Sequence, residues 1–334
     1  MKKTLLAVVT SSLFAASANA AVVFDKDGQQ VDVYGRVEYD AGQINYQTAN
    51  TAKAENFGGD GTARLGVNGK WATGYDASLI GKLEWDASAE AAEGSKFDNR
   101  YAWAGADFGN GVQVTAGHLA NPYAQLADLT DLFNLYGDVV AYGDIASRLD
   151  DAFNVSYAAD GWDMRAAYSF ADANKVGTKP TATTSVSKDA FAFSEGYTFS
   201  DIGLKVVGAY QQADFDTTTS SSVVNKNTQY SLGFGYTYDA FYLGADYGRV
   251  QNESDVATAK DNVLEVAATY KVDALTFLAG FNQRDPLAGT DTVKEYVLGT
   301  QYDITAKAKA YAEYRIQDVA NADDTYGVGI QYNF

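Results

Sequence analysis

The sequence has 334 residues, 43 acidic against 25 basic side chains, a net charge of −18 and no cysteine. That excludes a disulfide framework and thiolate metal sites. With no basic tract beyond Lys2 and Lys3, it also speaks against nucleic acid as a partner. The 24 Tyr, 17 Phe and 31 Gly against only 3 Pro suit neither a disordered chain nor an ordinary soluble core.

In chain order, Lys2 and Lys3 precede a short apolar run from Leu5 to Ala16, and Ala18-Asn19-Ala20 follows as a small-x-small site. This reads as a secretory signal peptide over 1–20, removed after Ala20; the apolar run is too short to span a bilayer. No later stretch approaches 18 consecutive apolar residues, so no transmembrane helix is expected. Residues 25–29, DKDGQ, begin like a calcium-binding loop, but Gln29 and Arg36 stand where an oxygen ligand and a Glu are needed. Asp27-Gly28 is therefore read as a turn, and no metal or cofactor is expected.

From residue 31 onward the chain alternates. Val31, Val33, Gly35, Val37, Tyr39 and Ala41 share one face, and Asp32, Tyr34, Arg36, Glu38 and Asp40 the other. Ala63, Leu65, Val67 and Trp71 stand against Arg64, Asn68 and Lys70; Ala308, Ala310, Ala312, Tyr314 and Ile316 stand against Lys307, Lys309, Tyr311, Glu313, Arg315 and Gln317. The final run repeats the pattern with Tyr326, Val328, Ile330, Tyr332 and Phe334 on one parity. Period two is the strand signal. The face carrying full charges must be wet, and the other needs an apolar surrounding.

Seven tight turns are expected at Thr73-Gly74, Gly109-Asn110-Gly111, Asp160-Gly161, Asp201-Ile202-Gly203, Asp239-Ala240, Asp273-Ala274 and Asp303-Ile304-Thr305. They alternate with eight longer polar stretches near 46–60, 86–98, 120–144, 173–187, 215–224, 253–260, 285–292 and 318–324. Fifteen connections make sixteen strands, with all tight turns at one end and all long loops at the other. The fold class that follows is all-β, a 16-stranded antiparallel transmembrane β-barrel over residues 21–334. A soluble sandwich or propeller would show continuous apolar strands or a blade-length repeat, and neither is present.

The segments VDVYGRVEY (31–39), ARLGVNG (63–69), NRYAWAG (99–105) and the final GIQYNF resemble the Gram-negative general porins, most nearly their Vibrio-type branch. The resemblance covers essentially all of 21–334. It implies a homotrimer of outer-membrane barrels that passes small hydrophilic solutes and ions. It also implies a third loop, 120–144, folded inward to narrow the channel, with a short helical stretch around Leu126, Leu129, Leu132 and Phe133. A basic wall of Arg36, Arg64, Arg100 and Arg148 would face an acidic loop carrying Asp131, with Asp128 or Asp138 as further acids. The loop tip Asn134-Leu135-Tyr136-Gly137-Asp138 departs from the Pro-Glu-Phe-Gly-Gly-Asp of enterobacterial porins, and Asp98 stands where relatives often carry lysine. The resemblance further assigns Glu93 as a trimer latch and Phe334 as a signal to the barrel-assembly machinery. Outer-membrane lipid and lipopolysaccharide are the expected surroundings. The strongly acidic balance favours a mild cation preference.

Three other functions can be set against a pore. A barrel enzyme lacks support: His118 is the one histidine, and there is no Gly-x-Ser-x-Gly turn or His/Cys metal cluster. A sugar-specific channel needs aromatics on the wet face, whereas most fall on the apolar parity. Adhesion through the outer loops is compatible with a pore.

Overall fold

The computed structural model describes residues 20–43, 57–88, 97–136, 147–171, 186–216, 224–287, 292–318 and 322–334. The strands are β1 (Ala21–Lys26), β2 (Gln29–Gln43), β3 (Gly58–Tyr75), β4 (Ala77–Ser88), β5 (Phe97–Asp107), β6 (Val112–Ala120), β7 (Arg148–Ala159) and β8 (Trp162–Ser169). They continue as β9 (Val186–Phe199), β10 (Leu204–Asp216), β11 (Lys226–Tyr238), β12 (Phe241–Glu253), β13 (Thr258–Val272), β14 (Leu275–Pro286), β15 (Val293–Thr305), β16 (Ala308–Asp318) and β17 (Thr325–Asn333). A single helical turn, α1 (Ala124–Ala127), lies between β6 and β7.

From β2 onward each strand pairs antiparallel with the next, and β17 returns to β2, so sixteen strands close a barrel. The seam edge of β2 is filled by three successive partners. Tyr326 to Asn333 pair with Gln43 to Arg36. Phe334 and Gly35 then exchange two backbone hydrogen bonds of 3.0 Å. Beyond them β1 folds back through Asp27-Gly28 and pairs along Gln29–Val33. Both turn residues have positive φ, 54° and 77°, as a tight hairpin requires. The closure needs Gly35: a Cβ there would stand 2.2 Å from the Phe334 ring.

The two faces are inverted relative to a water-soluble protein. Leu232 on the outside is 64% exposed, while Gln211 and Gln229 on the inside are fully covered. Val37, Tyr39, Leu83, Tyr247, Leu298 and Ile330 also face outward. An apolar belt of this extent fits lipid and not water. Aromatic side chains collect at its margins, with Tyr238, Tyr270 and Tyr302 near the tight turns and Phe97, Phe170 and Tyr326 near the long connections.

The expected turns and loops fall at the joins of these strands with three shifts. Thr73 and Gly74 stay inside β3 as a local irregularity, and the chain reverses at Asp76. Asp303 and Thr305 stay inside β15, and the chain reverses at residues 306–307. Lys271 reaches across to Asp303 at 2.7 Å, which holds that run in the sheet, while Thr305 Oγ1 caps the Lys307 amide at 3.1 Å. The second long stretch is shorter than expected at both ends: β4 extends through Asp86 to Ser88, and β5 begins at Phe97.

Residues 121–136 pack on the inner wall. Tyr123, Leu126 and Leu129 bury against Val207 and Ala209 of β10. Asn121 donates to Gln211 at 2.7 Å, Gln125 to the Asp163 carbonyl at 3.0 Å, and Tyr123 bonds Ser231. The helical stretch expected over Leu126–Phe133 is only one turn. Turn-like backbone bonds continue as far as Asp131, which donates to the Ala127 carbonyl at 2.9 Å; the Tyr242 hydroxyl donates to the Leu129 carbonyl at 2.9 Å and the Thr130 hydroxyl to Glu265 at 2.8 Å, tying this stretch to the wall. Inward glycines make the room: a Cβ at Gly244 would stand 1.8 Å from the Leu129 carbonyl oxygen, and one at Gly280 would stand 2.6 Å from the Phe133 ring. At the far end Glu313 of β16 accepts the backbone N–H groups of Asn134, Leu135 and Tyr136 at 2.7, 3.0 and 3.3 Å. Three consecutive amides around one carboxylate form an anion nest.

Two outcomes check this packing. Gly35→Val lowers the folded fraction, read as loss of the heat-modifiable band on a gel; a wild-type folded fraction contradicts the seam geometry. Glu313→Gln weakens a charge-assisted clasp by about 1.5 kcal/mol or more. The amides of residues 134–136 then exchange with deuterium about tenfold faster, and unchanged exchange contradicts the clasp.

Candidate functional site: the charged lumen

The inner wall carries its charges in two groups on opposite arcs. The first lies on β2 to β5. In register, Arg36 of β2 faces Arg64 of β3, Arg64 faces Asp86 of β4, and Asp86 faces Asp98 of β5. Arg36 pairs with Glu38 at 3.2 Å. Arg64 lies 3.2 Å from Asp86 and 3.7 Å from Glu84. Arg100 lies 2.8 Å from Glu84 and 2.9 Å from Asp86. Lys82 lies 3.4 Å from Glu84 and stands over the rings of Tyr34 and Tyr101, at 5.4 and 4.6 Å from their centroids. Arg148, at the start of β7, stands 5.7 Å from the Tyr101 centroid.

Arg36, Arg64 and Arg100 are thus brought together, with Arg148 nearby. Arg100 arrives by a route that strict alternation does not give. Glu84 pairs with Tyr101 and Trp85 with Asn99, which leaves Arg100 as the extra residue of a β-bulge. A bulge re-aims a side chain, and here it turns Arg100 and Tyr101 inward together. Lys82, Glu84 and Asp86 were not singled out in the sequence, although their period-two spacing on β4 carried the signal. Asp86 had been placed in a loop.

The second group is the segment 121–136. Its wall partners run from Asp163 on β8 to Glu313 on β16, an arc centred on β12. In a ring of sixteen strands β12 lies eight strands from β4, opposite the basic cluster. Asp128 and Asp131 are exposed on this segment. Asp128 caps α1, with Arg165 of β8 and Lys205 of β10 as its nearest cations. Although it touches the lumen, the enclosing walls push its carboxyl above the usual carboxylate range, more than those two cations pull it down. Arg165 is itself held by both oxygens of Asp163, at 3.0 and 2.8 Å. His118, just before the segment, turns its Nδ1 toward the Asp150 carboxylate. Asp138 and Glu93 lie outside the described residues, as do residues 1–19 of the signal peptide expected over 1–20. Among the described residues no group of three His, Cys, Asp or Glu side chains is placed to hold a metal.

Comparison with known proteins agrees with this architecture. The model of the Gram-negative porin family matches residues 4–322. Outer membrane porin F of Xenorhabdus nematophila is 25% identical and Outer membrane porin PhoE of Enterobacter cloacae 27%, each over the whole of both chains. Outer membrane protein U of Vibrio vulnificus is 27% identical over 78% of this chain and 72% of its own. Among solved structures, Salmonella typhi OmpF in complex with daunomycin superposes with a TM-score of 0.76 at 19% identity, over 93% of this chain and 99% of its own. The trimer form of Vibrio cholerae OmpT gives 0.72 at 17%, over 92% of this chain and all of its own. The inverted barrel, the lumen charges and the full-length match lead to one conclusion: this chain is an outer-membrane channel of the Gram-negative porin family.

Proposed function

We propose that the chain is a general diffusion porin. It passes small hydrophilic solutes and ions through a water-filled lumen narrowed by the segment around 120–144. The observation that carries this reading is the placement of charge on two facing arcs: Arg36, Arg64, Lys82, Arg100 and Arg148 on one, Asp128 and Asp131 on the other. Opposed charges across a narrow gap orient water and dipolar solutes and penalise apolar ones.

The preference is mildly cationic. Arg36, Arg64, Lys82 and Arg100 each have a carboxylate partner in Glu38, Glu84 or Asp86, the segment opposite adds the exposed acids Asp128 and Asp131, and the chain carries a net −18. A sugar slide is disfavoured because the inward tyrosines are committed: Tyr34 bonds Glu84, Tyr123 bonds Ser231, Tyr242 bonds the Leu129 carbonyl and Tyr311 bonds Asp40. The working unit is a homotrimer, supported by the trimer form of Vibrio cholerae OmpT, with Glu93 as a candidate latch and Asp138 as a further loop acid. Lipopolysaccharide and outer-membrane lipid surround the belt, and the barrel-assembly machinery reads the strand ending at Phe334.

The test is conductance in a planar bilayer under a salt gradient. Closures in threes with a reversal potential on the cation side are expected. Asp131→Asn moves that potential toward zero. Lowering the pH does the same, beginning above the usual carboxylate range, because protonation removes the raised Asp128 charge. An anion-side potential overturns the selectivity, and folded protein without conductance overturns the pore.

A further inference from the structure

We propose that Asp86 determines the channel's ion preference from the basic side of the lumen, with Asp98 as a weaker second. This rests on the pore reading above and adds a selectivity residue outside the loop. The two carboxylates within the basic cluster differ in what surrounds them. The side chain of Glu84 is 5% exposed, and its oxygens are taken by Tyr34, Lys82 and Arg100. That charge balances cations inside the wall. The side chain of Asp86 is 44% exposed. One of its oxygens takes Arg64 Nε at 3.2 Å and the other takes Arg100 Nη1 at 2.9 Å. A single lumen-facing carboxylate therefore bridges two guanidiniums of the basic cluster.

Register strengthens the effect. Arg36, Arg64, Asp86 and Asp98 occupy one row across four adjacent strands, so the wall presents two cations followed by two carboxylates. A passing anion meets Arg64 already shared with Asp86. A passing cation finds carboxylates on the wall as well as on the loop opposite. The ligand class favoured is small monovalent cations and amines.

The experiment is the reversal potential of the full-length protein in planar bilayers under a potassium chloride gradient, for wild type, Asp86→Asn, Asp86→Glu and Asp98→Asn. Asp86→Asn lowers the potassium-over-chloride permeability ratio on the order of twofold. The change is larger at 0.1 M than at 1 M salt, as the screening length falls from about 10 Å to about 3 Å. Asp86→Glu keeps the wild-type ratio, and Asp98→Asn moves it the same way by less. Asp86→Asn channels that conduct with an unchanged ratio overturn the proposal, even if their conductance differs, because a purely structural role predicts that pattern. If Asp86→Asn does not insert, Asp98→Asn decides: an unchanged ratio there overturns the row. Wild-type protein that folds but does not conduct fails the pore reading itself, which none of the variant results mimics.

Discussion

A sheet in hydrocarbon tolerates no free edge, because lipid offers no partner to an unpaired N–H or C=O. The rest of this molecule depends on that constraint. It requires a last strand that returns to the first, and β17 does so over eight residue pairs with β2. It also explains the division of the β2 edge among β17, Phe334 and β1: where the last strand runs out, the chain's own start takes over the pairing. Gly35 sits at the handover and leaves space for the Phe334 ring. Once the sheet is closed, alternation does the remaining work, sending apolar side chains to lipid and polar ones to the lumen.

A closed barrel of this size encloses a polar interior, and the segment 121–136 is fitted to it by chemistry that a surface loop would not need. Its backbone is satisfied by wall side chains, notably the Tyr242 hydroxyl and the Glu313 carboxylate. Its bulk is accommodated where the wall has glycine, at Gly244 and Gly280. Its apolar side chains find Val207 and Ala209. The same fit leaves Asp128 and Asp131 exposed on the segment, on the arc opposite β4, so packing and selectivity share one cause. On the opposite arc most basic side chains already hold a carboxylate, and Asp86, bonded to both Arg64 and Arg100, is the one of these that is also open to the lumen.

The barrel was legible in the sequence because a two-residue period and the alternation of short and long connections are local signals that survive in every strand. Charge on the wet face was legible for the same reason. What was not legible depends on departures from alternation or on contacts between distant strands. Arg100 stands on the wall as its motif implied, but through a bulge that also turns Tyr101 inward, and no periodicity announces that. Asp303-Ile304-Thr305 has turn composition but stays in the sheet because Lys271, two strands away, holds Asp303. Asp86 looked like a loop residue at the end of a polar run, and only the length of β4 returns it to the wall. The helical stretch is shorter than its spacing suggests: after α1 the backbone continues only in turn-like bonds to Asp131, where wall contacts to Leu129 and Thr130 fix its course.

The central claim is that the segment around Thr130 is fixed to the inner wall at β12–β13. The chain contains no cysteine, so a Thr130→Cys, Glu265→Cys double variant gives a clean test in outer-membrane preparations. The hydroxyl and carboxylate they replace are 2.8 Å apart. Because Cys is shorter than Glu, a short bifunctional thiol reagent is expected to bridge the pair, with both single variants shielded from a membrane-impermeant maleimide too bulky for the lumen. Failure to cross-link, with Thr130→Cys freely labelled, would place the segment outside the barrel and contradict it.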